Sequence, residues 1–435
     1  MKPDHEVIIL GAGIAGLAAS ARLREHGVEA PLFEAASRPG GLLDSFTLET
    51  PEGSWTFDNA VHLSFASEPE VREIFDRTPY LSHEARSLNW DGGLWIPHPV
   101  QNNMYPLAAD EKADLVVDLA HHLAQVSPDA PIENYRDWLY NQYGAKIAER
   151  WPLRYTRKYW TLDAAELGTG WIGNRMRRAD LREVVLGAVC ENPPNTYYVS
   201  TMRYPERGGY RAFLMPLLET VDVRTDMKAV EIDNRSRSIR FENGEVQLYG
   251  RMISTMPLPL LIQIMTDVPP DIRALADTLF ATSIDIVSIG FRKPRVSPSL
   301  WFYIYDTTIL ASRAYSPSIK SPHNAPDGHS SLQFEIYSSQ RMQHGLSPEA
   351  LIEHCLQTVE TMGLAERDEI VLTHHKHLPF GNVVFDLGME KRRNAVRAWV
   401  ESQGIALAGR FGEWDYLWSN QAFMSGRAAA DAIAR

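Results

Sequence analysis

Cysteine is nearly absent: the 435 residues hold two, Cys190 and Cys355, far apart and outside any Cys-x-x-Cys pattern. That argues against a disulfide scaffold or a dithiol relay and points to a reducing compartment. Positive charge is in deficit. With 43 Lys and Arg against 55 Asp and Glu, the net charge is −12, which disfavours nucleic acid as a partner. No stretch approaches the roughly 18 consecutive apolar residues of a membrane-spanning helix, and no basic-then-apolar leader precedes the first apolar run. These absences lead us to expect a soluble, cytoplasmic protein without a membrane span. Internal repeats and low-complexity segments are also missing. The remaining composition, 44% hydrophobic and 23% charged, is that of an ordinary globular chain. At this length a single core stops growing, so two or three substructures are expected.

What is present starts at residue 6. Glu6-Val-Ile-Ile-Leu-Gly11-Ala-Gly13-Ile14-Ala15-Gly16-Leu17 runs from an apolar strand through a glycine turn into a helix, and the next apolar run ends in Glu34-Ala35. A dinucleotide is held this way. Gly11 makes the tight turn, Gly13 lets a pyrophosphate approach the backbone, and Gly16 lets helix and strand pack closely. The helix N-terminus, with Ile14 and Ala15, faces the phosphates, and Glu34 accepts from a ribose hydroxyl. A purely structural glycine turn would need neither the full strand–helix–strand context nor the acid. Arg38-Pro-Gly40-Gly41-Leu42 follows at once. A nicotinamide dinucleotide has no use for this second glycine pair. A flavin dinucleotide, running on past its pyrophosphate toward the ring, does. The order Glu, short spacer, Arg-x-Gly-Gly resembles the fingerprint of the flavoprotein superfamily of amine oxidases, protoporphyrinogen oxidases, carotenoid desaturases and UDP-galactopyranose mutases, and this implies FAD.

The fold class read from this order is α/β. A Rossmann-type FAD-binding domain of the amine oxidase kind is expected from residues 1–65, 203–258 and 400–435. It is split by a mainly helical cap subdomain, 66–202, and a mixed strand–helix substrate domain, 266–395. Within 66–202 the periodicity predicts helices over 68–76, 109–125, 135–150 and 171–178. Strands are expected over 284–291, 300–305 and 331–337, with a helix over 348–362. Val221 to Asp233 alternates like a strand, and the resemblance places Ala229 at the cofactor. Near the end, a short strand runs into Gly409-Arg410-Phe411, and a small-residue helix opens at Ser419 or Asn420 with Gln421 and Ala422. Its positive end is suited to the flavin pyrimidine; the plainer reading is a docking helix with a capped start.

One local reversal stands out in an acidic chain. Residues 150–182 carry Arg150, Arg154, Arg157, Lys158, Arg175, Arg177, Arg178 and Arg182 among Trp151, Tyr155, Tyr159, Trp160 and Trp171. This suits an anionic, stackable ligand such as a nucleoside diphosphate; the alternative is a solvated, ion-paired helix face. Trp95-Ile-Pro-His98-Pro-Val-Gln101-Asn102-Asn103, Phe57 to Phe65, Tyr155 to Trp160, Trp171 to Arg175, Trp301-Phe-Tyr303 and Gly409 to Tyr416 resemble, in order, segments of eukaryotic-type UDP-galactopyranose mutases. The resemblance implies a mutase that interconverts pyranose and furanose forms of a nucleotide sugar through the N5 of reduced FAD, with an external reductant such as NAD(P)H. It assigns Arg175 and Arg313 to the departing diphosphate and His62 to the flavin. It assigns Gln101, Tyr155, Trp301, Tyr303, Asn382 and Tyr416 to the substrate pocket. A homo-oligomer is compatible with it.

Five positions depart from that pattern. The family's Gly-Gly-His is Ala60-Val61-His62, its Tyr before Pro is His98, Thr156 replaces an Asn, and Asn382 stands where a second pyrophosphate tyrosine is expected. These departures favour another sugar nucleotide, or a net oxidase or dehydrogenase of the amine oxidase, porphyrinogen oxidase or desaturase type. A flavin-binding accessory protein without turnover is the third class. His62 itself could instead be a buried imidazole satisfied by a carbonyl. His121-His122 and His374-His375-Lys-His377 lack an accompanying acidic or cysteine set at ligand spacing, so no metal is expected.

Overall fold

The apolar run His5–Leu10 forms the central parallel strand of a seven-stranded sheet in the computed structural model, which describes residues 3–127, 130–173, 175–176, 179–191 and 200–434. Ile9 opposes Leu32 on one side and Ile253 on the other. The parallel core continues outward to Val223–Arg224 beyond one neighbour and to Ile405–Leu407 beyond the other. Strands covered on both faces read as continuous apolar runs, which is why Val7 to Leu10 and Met252-Ile253 lack alternation. The helix Ile14–Glu25 lies against this sheet and is packed by the last helix, Ser419–Ala434. Small residues permit that approach. A side chain at Gly426 would run into the Ala15 carbonyl, and one at Gly409 would come within 2.6 Å of the Ala15 Cβ.

A second seven-stranded sheet runs Ile370–Leu378, Ser283–Phe291, Ser330–Ser338, Arg313–Tyr315, Trp301–Ile304, Leu88–Asp91, Leu94–Pro97. Its strand Ser330–Ser338 is buried at every residue. Leu332, Phe334 and Ile336 pack with Leu351, Cys355 and Val359 of the helix Pro348–Thr361. Period-two alternation then puts Gln333, Glu335 and Tyr337 on the opposite face, where Gln333 meets the Asp58 carbonyl, Glu335 the Val61 N–H and Tyr337 the Tyr159 ring.

The expected helix at 109–125 appears as Ala109–Gln125, whereas that at 135–150 appears as Tyr135–Arg150 broken at Gly144, which sits at φ +70°. Others differ. Among the described residues of 171–178 none is helical: Trp171–Gly173 is a turn, with Gly173 at φ +46°, and the next helix among the described residues is Leu181–Val189. Pro152–Trp160 is a further helix, opened by proline and separated from its predecessor by Trp151 alone, so the two read as one in sequence. Segment 66–202 also contributes Tyr80–Glu84, Leu88–Asp91 and Leu94–Pro97 as strands, the last two joining the second sheet. Ile370–Leu378 is an edge strand whose histidines meet Asp285 of its neighbour. Oδ1 of Asp285 contacts His375 at 2.8 Å and His377 at 3.0 Å, and Oδ2 contacts His344 at 3.1 Å. The acid that the sequence lacked nearby is supplied across the sheet. Among the described residues, no group of such side chains is placed to hold a metal ion, and no helix is long and apolar enough to cross a membrane.

Candidate active site

The glycine turn has a feature that the protein alone does not require. Gly11 sits at φ +95°, and a side chain there would strike Thr255. Gly16 would strike the Gly11 carbonyl. Gly13, by contrast, has ordinary backbone angles, and a methyl added to it would meet nothing within 4 Å. The space above Gly13 is kept open, as a pyrophosphate needs. The second glycine pair docks directly onto this turn. Gly40 N–H donates to Ala12 O at 2.9 Å, and Gly41, at φ +58°, opens the short turn that includes Leu42.

Glu34 accepts the N–H of Ala12 at 2.8 Å and of Ala36, beyond Ala35, at 2.9 Å. A carboxylate has about four lone-pair sites, so two remain for ribose hydroxyls. Met227 N–H donates to Glu34 O at 2.8 Å, which brings the strand Ala229–Asp233 alongside. Arg38 donates to Asp44 and the Ser45 carbonyl, and Arg211 shares Asp44.

At the far end, the Gly409 N–H is held by Ser425 Oγ, and Phe411 leans on Phe380. Arg410 donates to the carbonyls of Leu417 and Gly381 and, at 3.3 Å, to Asn382 Oδ1. Beside the start of the last helix, the Ser419 and Tyr210 hydroxyls meet at 3.3 Å, Asn420 donates to Glu68, Gln421 accepts the Trp418 N–H, and Ala422 N–H reaches the Trp418 carbonyl. Open space over Gly13, spare acceptors on Glu34 and a helix N-terminus form a donor and acceptor set that fits a flavin dinucleotide.

A cavity of about 660 Å³ opens between the second sheet and the helices Tyr135–Arg150 and Pro152–Trp160. Arg175 and Arg313 both line it, with Gln101, Tyr155, Tyr303 and Tyr416. The Arg175 guanidinium lies 4.9 Å over the Tyr416 ring and 4.8 Å over the Trp418 ring, and it donates to the carbonyls of Trp171 and Tyr416. Arg313 lies 5.3 Å over the Tyr159 ring. The hydroxyls of Tyr416 and Tyr159 are 2.8 Å apart, so the two arginines back onto a single tyrosine pair.

Arg313 is also tied from behind. Its Nε donates to Oε2 of the fully buried Glu335, and Nη2 donates to the Tyr337 hydroxyl at 3.0 Å. Burial alone would raise the Glu335 carboxyl and lower the Arg313 guanidinium. Their contact reverses both, holding Glu335 below and Arg313 above its usual range. His62 does not line this cavity. It packs tilted against Tyr210 at 5.2 Å, with Nδ1 3.1 Å from the Ala60 carbonyl, so Nδ1 donates and Nε2 is the acceptor. Burial pushes its imidazole down to about 4, so it is neutral near pH 7.

Two expected pocket residues are elsewhere. Trp301 is buried in a small apolar cluster with Leu300, Tyr315 and Met202, on the strand that brings Tyr303 to the cavity. Asn382 lies behind the wall: its Oδ1 accepts from the Tyr159 hydroxyl at 3.4 Å and from Arg410, and its N–H donates to Thr282. His98, in the position of the family's tyrosine, lines the cavity against Tyr303 at 4.7 Å. Burial pushes it down to about 4.

Much of the basic stretch follows the bland reading. Arg150 pairs with Asp91 and Glu111, whereas the half-buried Lys158 departs from that reading and donates to the carbonyls of Ile304 and Asp306. Arg177 and Arg178 lie outside the described residues. Sequence reasoning missed Trp418, which lines the cavity, and Glu335 and Tyr337, which hold Arg313. Lys320 and Asp58 form a fully buried pair at 3.0 Å, and Asp58 also accepts from Tyr204, Ser45 and the Tyr210 N–H. Polar side chains at alternate positions of the expected strand 331–337 were the one available signal for Glu335 and Tyr337.

A family model described as flavin containing amine oxidoreductase matches residues 14–434. Among solved structures, the crystal structure of reduced UDP-galactopyranose mutase is similar with a TM-score of 0.92 and 26% identity, over 100% of this chain and 94% of that one. A protein provisionally assigned as protoporphyrinogen oxidase from Exiguobacterium sp. 255-15 matches with a TM-score of 0.75 and 18% identity, over 100% and 99%. Cyclohexylamine oxidase from Brevibacterium oxydans IH-35A matches with a TM-score of 0.68 and 15% identity, over 99% of each chain. The last two likenesses speak to the fold alone.

Proposed function

The chain belongs to the family of flavin containing amine oxidoreductases, and from that premise we propose that it is a FAD-dependent sugar-nucleotide mutase, working with the reduced cofactor on a pyranose or furanose nucleotide sugar. One observation carries this reading: Arg175 and Arg313, distant in sequence, line one aromatic cavity and rest on the same Tyr416–Tyr159 pair. The similarity to reduced UDP-galactopyranose mutase supports it.

Breaking a sugar–diphosphate bond requires charge stabilisation on the leaving group. Two guanidinium forks offer rigid donors to phosphate oxygens, and the aromatic walls raise their effect by excluding water. Tyr155 and Tyr303 supply flat faces for the ligand, and Gln101, on the turn Val100–Asn102, offers an amide to the sugar or phosphate. Tyr416 can donate to a phosphate oxygen when Tyr159 turns its own proton from Asn382 to the Tyr416 oxygen. His62, neutral, keeps its Nδ1 proton on the Ala60 carbonyl and presents Nε2 as an acceptor. Bound and reduced, the flavin would supply a nucleophilic N5 toward the anomeric carbon.

The test is a panel of UDP-, GDP- and dTDP-sugars with the dithionite-reduced enzyme. A change of ring form at constant mass is expected for at least one. If none binds or converts, the mutase reading fails. The second reading is a net oxidation of an amine or apolar substrate. It is favoured by the side chains of Ala60 and Val61 and by an Arg313 charge already met by Glu335. Stoichiometric peroxide release would support it, and its absence across candidate substrates would count against it.

A further inference from the structure

Glu335 is 0% exposed and contacts two separate parts of the site. Its Oε1 accepts the Val61 N–H at 2.7 Å. Its Oε2 accepts from Arg313 Nε and, at 2.7 Å, from the Tyr337 hydroxyl. Val61 lies in the turn that leads to His62. Two residues before Val61, the Asn59 amide donates to the Gly41 carbonyl beside Gly13 at 3.0 Å. One carboxylate therefore spans from the arginine on the cavity wall to the turn beside the cradle.

We infer that Glu335 is a positioning residue that fixes the Arg313 guanidinium and the Ala60–His62 turn as one unit. Its two oxygens divide the work. Oε1 needs only to accept, so a glutamine in the same place keeps the Val61 contact. Oε2 faces two donors, and a glutamine amide there would set N–H against N–H and displace the guanidinium. An aspartate keeps the charge but is one methylene short, so it cannot reach Val61 and Arg313 together. Breaking a buried pair by removing one partner is costly because it strands the other charge. The fixed turn also distinguishes this chain from a Gly-Gly-His arrangement. Val61 has a side chain, and its N–H is already engaged, so the backbone at this point is held. The assignment of Arg313 to a diphosphate rests on the mutase reading; the link to the turn does not.

The test uses the full chain loaded with FAD, compared with Glu335→Asp, Glu335→Gln and the milder Tyr337→Phe, which deletes only a hydroxyl. Two quantities are measured alongside flavin content and Tm. One is the oxidised-to-reduced flavin ratio at a potential fixed by a reference dye. The other is the affinity of the reduced enzyme for inorganic pyrophosphate. Both Glu335 variants are expected to shift the flavin ratio and to weaken pyrophosphate binding by about tenfold or more, with Tyr337→Phe smaller in the same direction. A Glu335→Asp enzyme that matches the parent in the flavin ratio overturns the inference, as do variants that lower Tm while the flavin ratio stays put. If the parent fails to bind pyrophosphate, the mutase reading falls, and the flavin ratio alone decides the role of Glu335. Should either Glu335 variant fail to load flavin, Tyr337→Phe carries the test.

Discussion

Arg313 differs from Arg175 in how it is held, and this sets what substitution should do to each. Arg313 is oriented by Glu335 and Tyr337, whereas Arg175 rests on the aromatic faces of Tyr416 and Trp418. Lysine keeps the charge but has neither the planar fork nor the stacking. Arg313→Lys and Arg175→Lys should each lower kcat for ring interconversion by about 10²- to 10³-fold, with KM changing less, in steady-state assays of the reduced enzyme. A loss confined to KM would mean that the arginines only bind. The histidines give a pH signature. His62 and His98 are held near 4 against an ordinary 6.5. Between those values the unfolded chain binds protons that the folded chain refuses, so the stabilisation is fully present above about 6.5 and is lost as pH falls toward 4. Thermal melts should show Tm dropping through that window. The drop should be smaller in His98→Asn, which keeps a donor for the Asn89 Oδ1 that His98 meets at 3.1 Å. An unchanged slope would count against a buried, neutral His98.

At the level of elements, the glycines of the first turn make opposite demands. A methyl on Gly13 meets open space and no backbone strain, so Gly13→Ala should fold with a Tm close to the parent yet bind FAD at least tenfold more weakly, about 1.4 kcal/mol or more. Gly426→Ala presses on the Ala15 carbonyl, where two helices touch, and should cost about 1–3 kcal/mol of stability in denaturant melts whether or not FAD is present. Equal FAD affinity in Gly13→Ala and the parent would argue against a pyrophosphate above that residue. Elements with a strong local period were legible in the sequence. Leu115 and Leu119 sit one turn apart on the helix Ala109–Gln125, and the glycine turn sits between its strand and helix. The helix Pro152–Trp160 was hidden because a single residue, Trp151, separates it from the previous helix. The strand Ile370–Leu378 was hidden because its histidines find their acid on another strand.

For the whole molecule, legibility depended on how local each interaction is. The glycine turn, Glu34 and the second glycine pair lie within residues 6–42, so their order was legible from spacing. The residues that shape the cavity were read only as scattered resemblances, and two of them, Trp301 and Asn382, stand off its wall. The Lys320–Asp58 and Glu335–Val61 contacts join positions more than half the chain apart, and no periodicity announces them. On the mutase reading proposed above, a diphosphate departs between the two arginines, and that can be followed by isotope. A nucleotide sugar carrying ¹⁸O in the bond between the anomeric carbon and the β-phosphate is incubated with the reduced enzyme, and the label is located by ³¹P NMR. If the diphosphate departs and is held, its oxygens become equivalent by rotation, and the label should appear at non-bridging positions in the parent and far more slowly in Arg313→Lys. Ring interconversion with the label still wholly in the bridge would contradict the account.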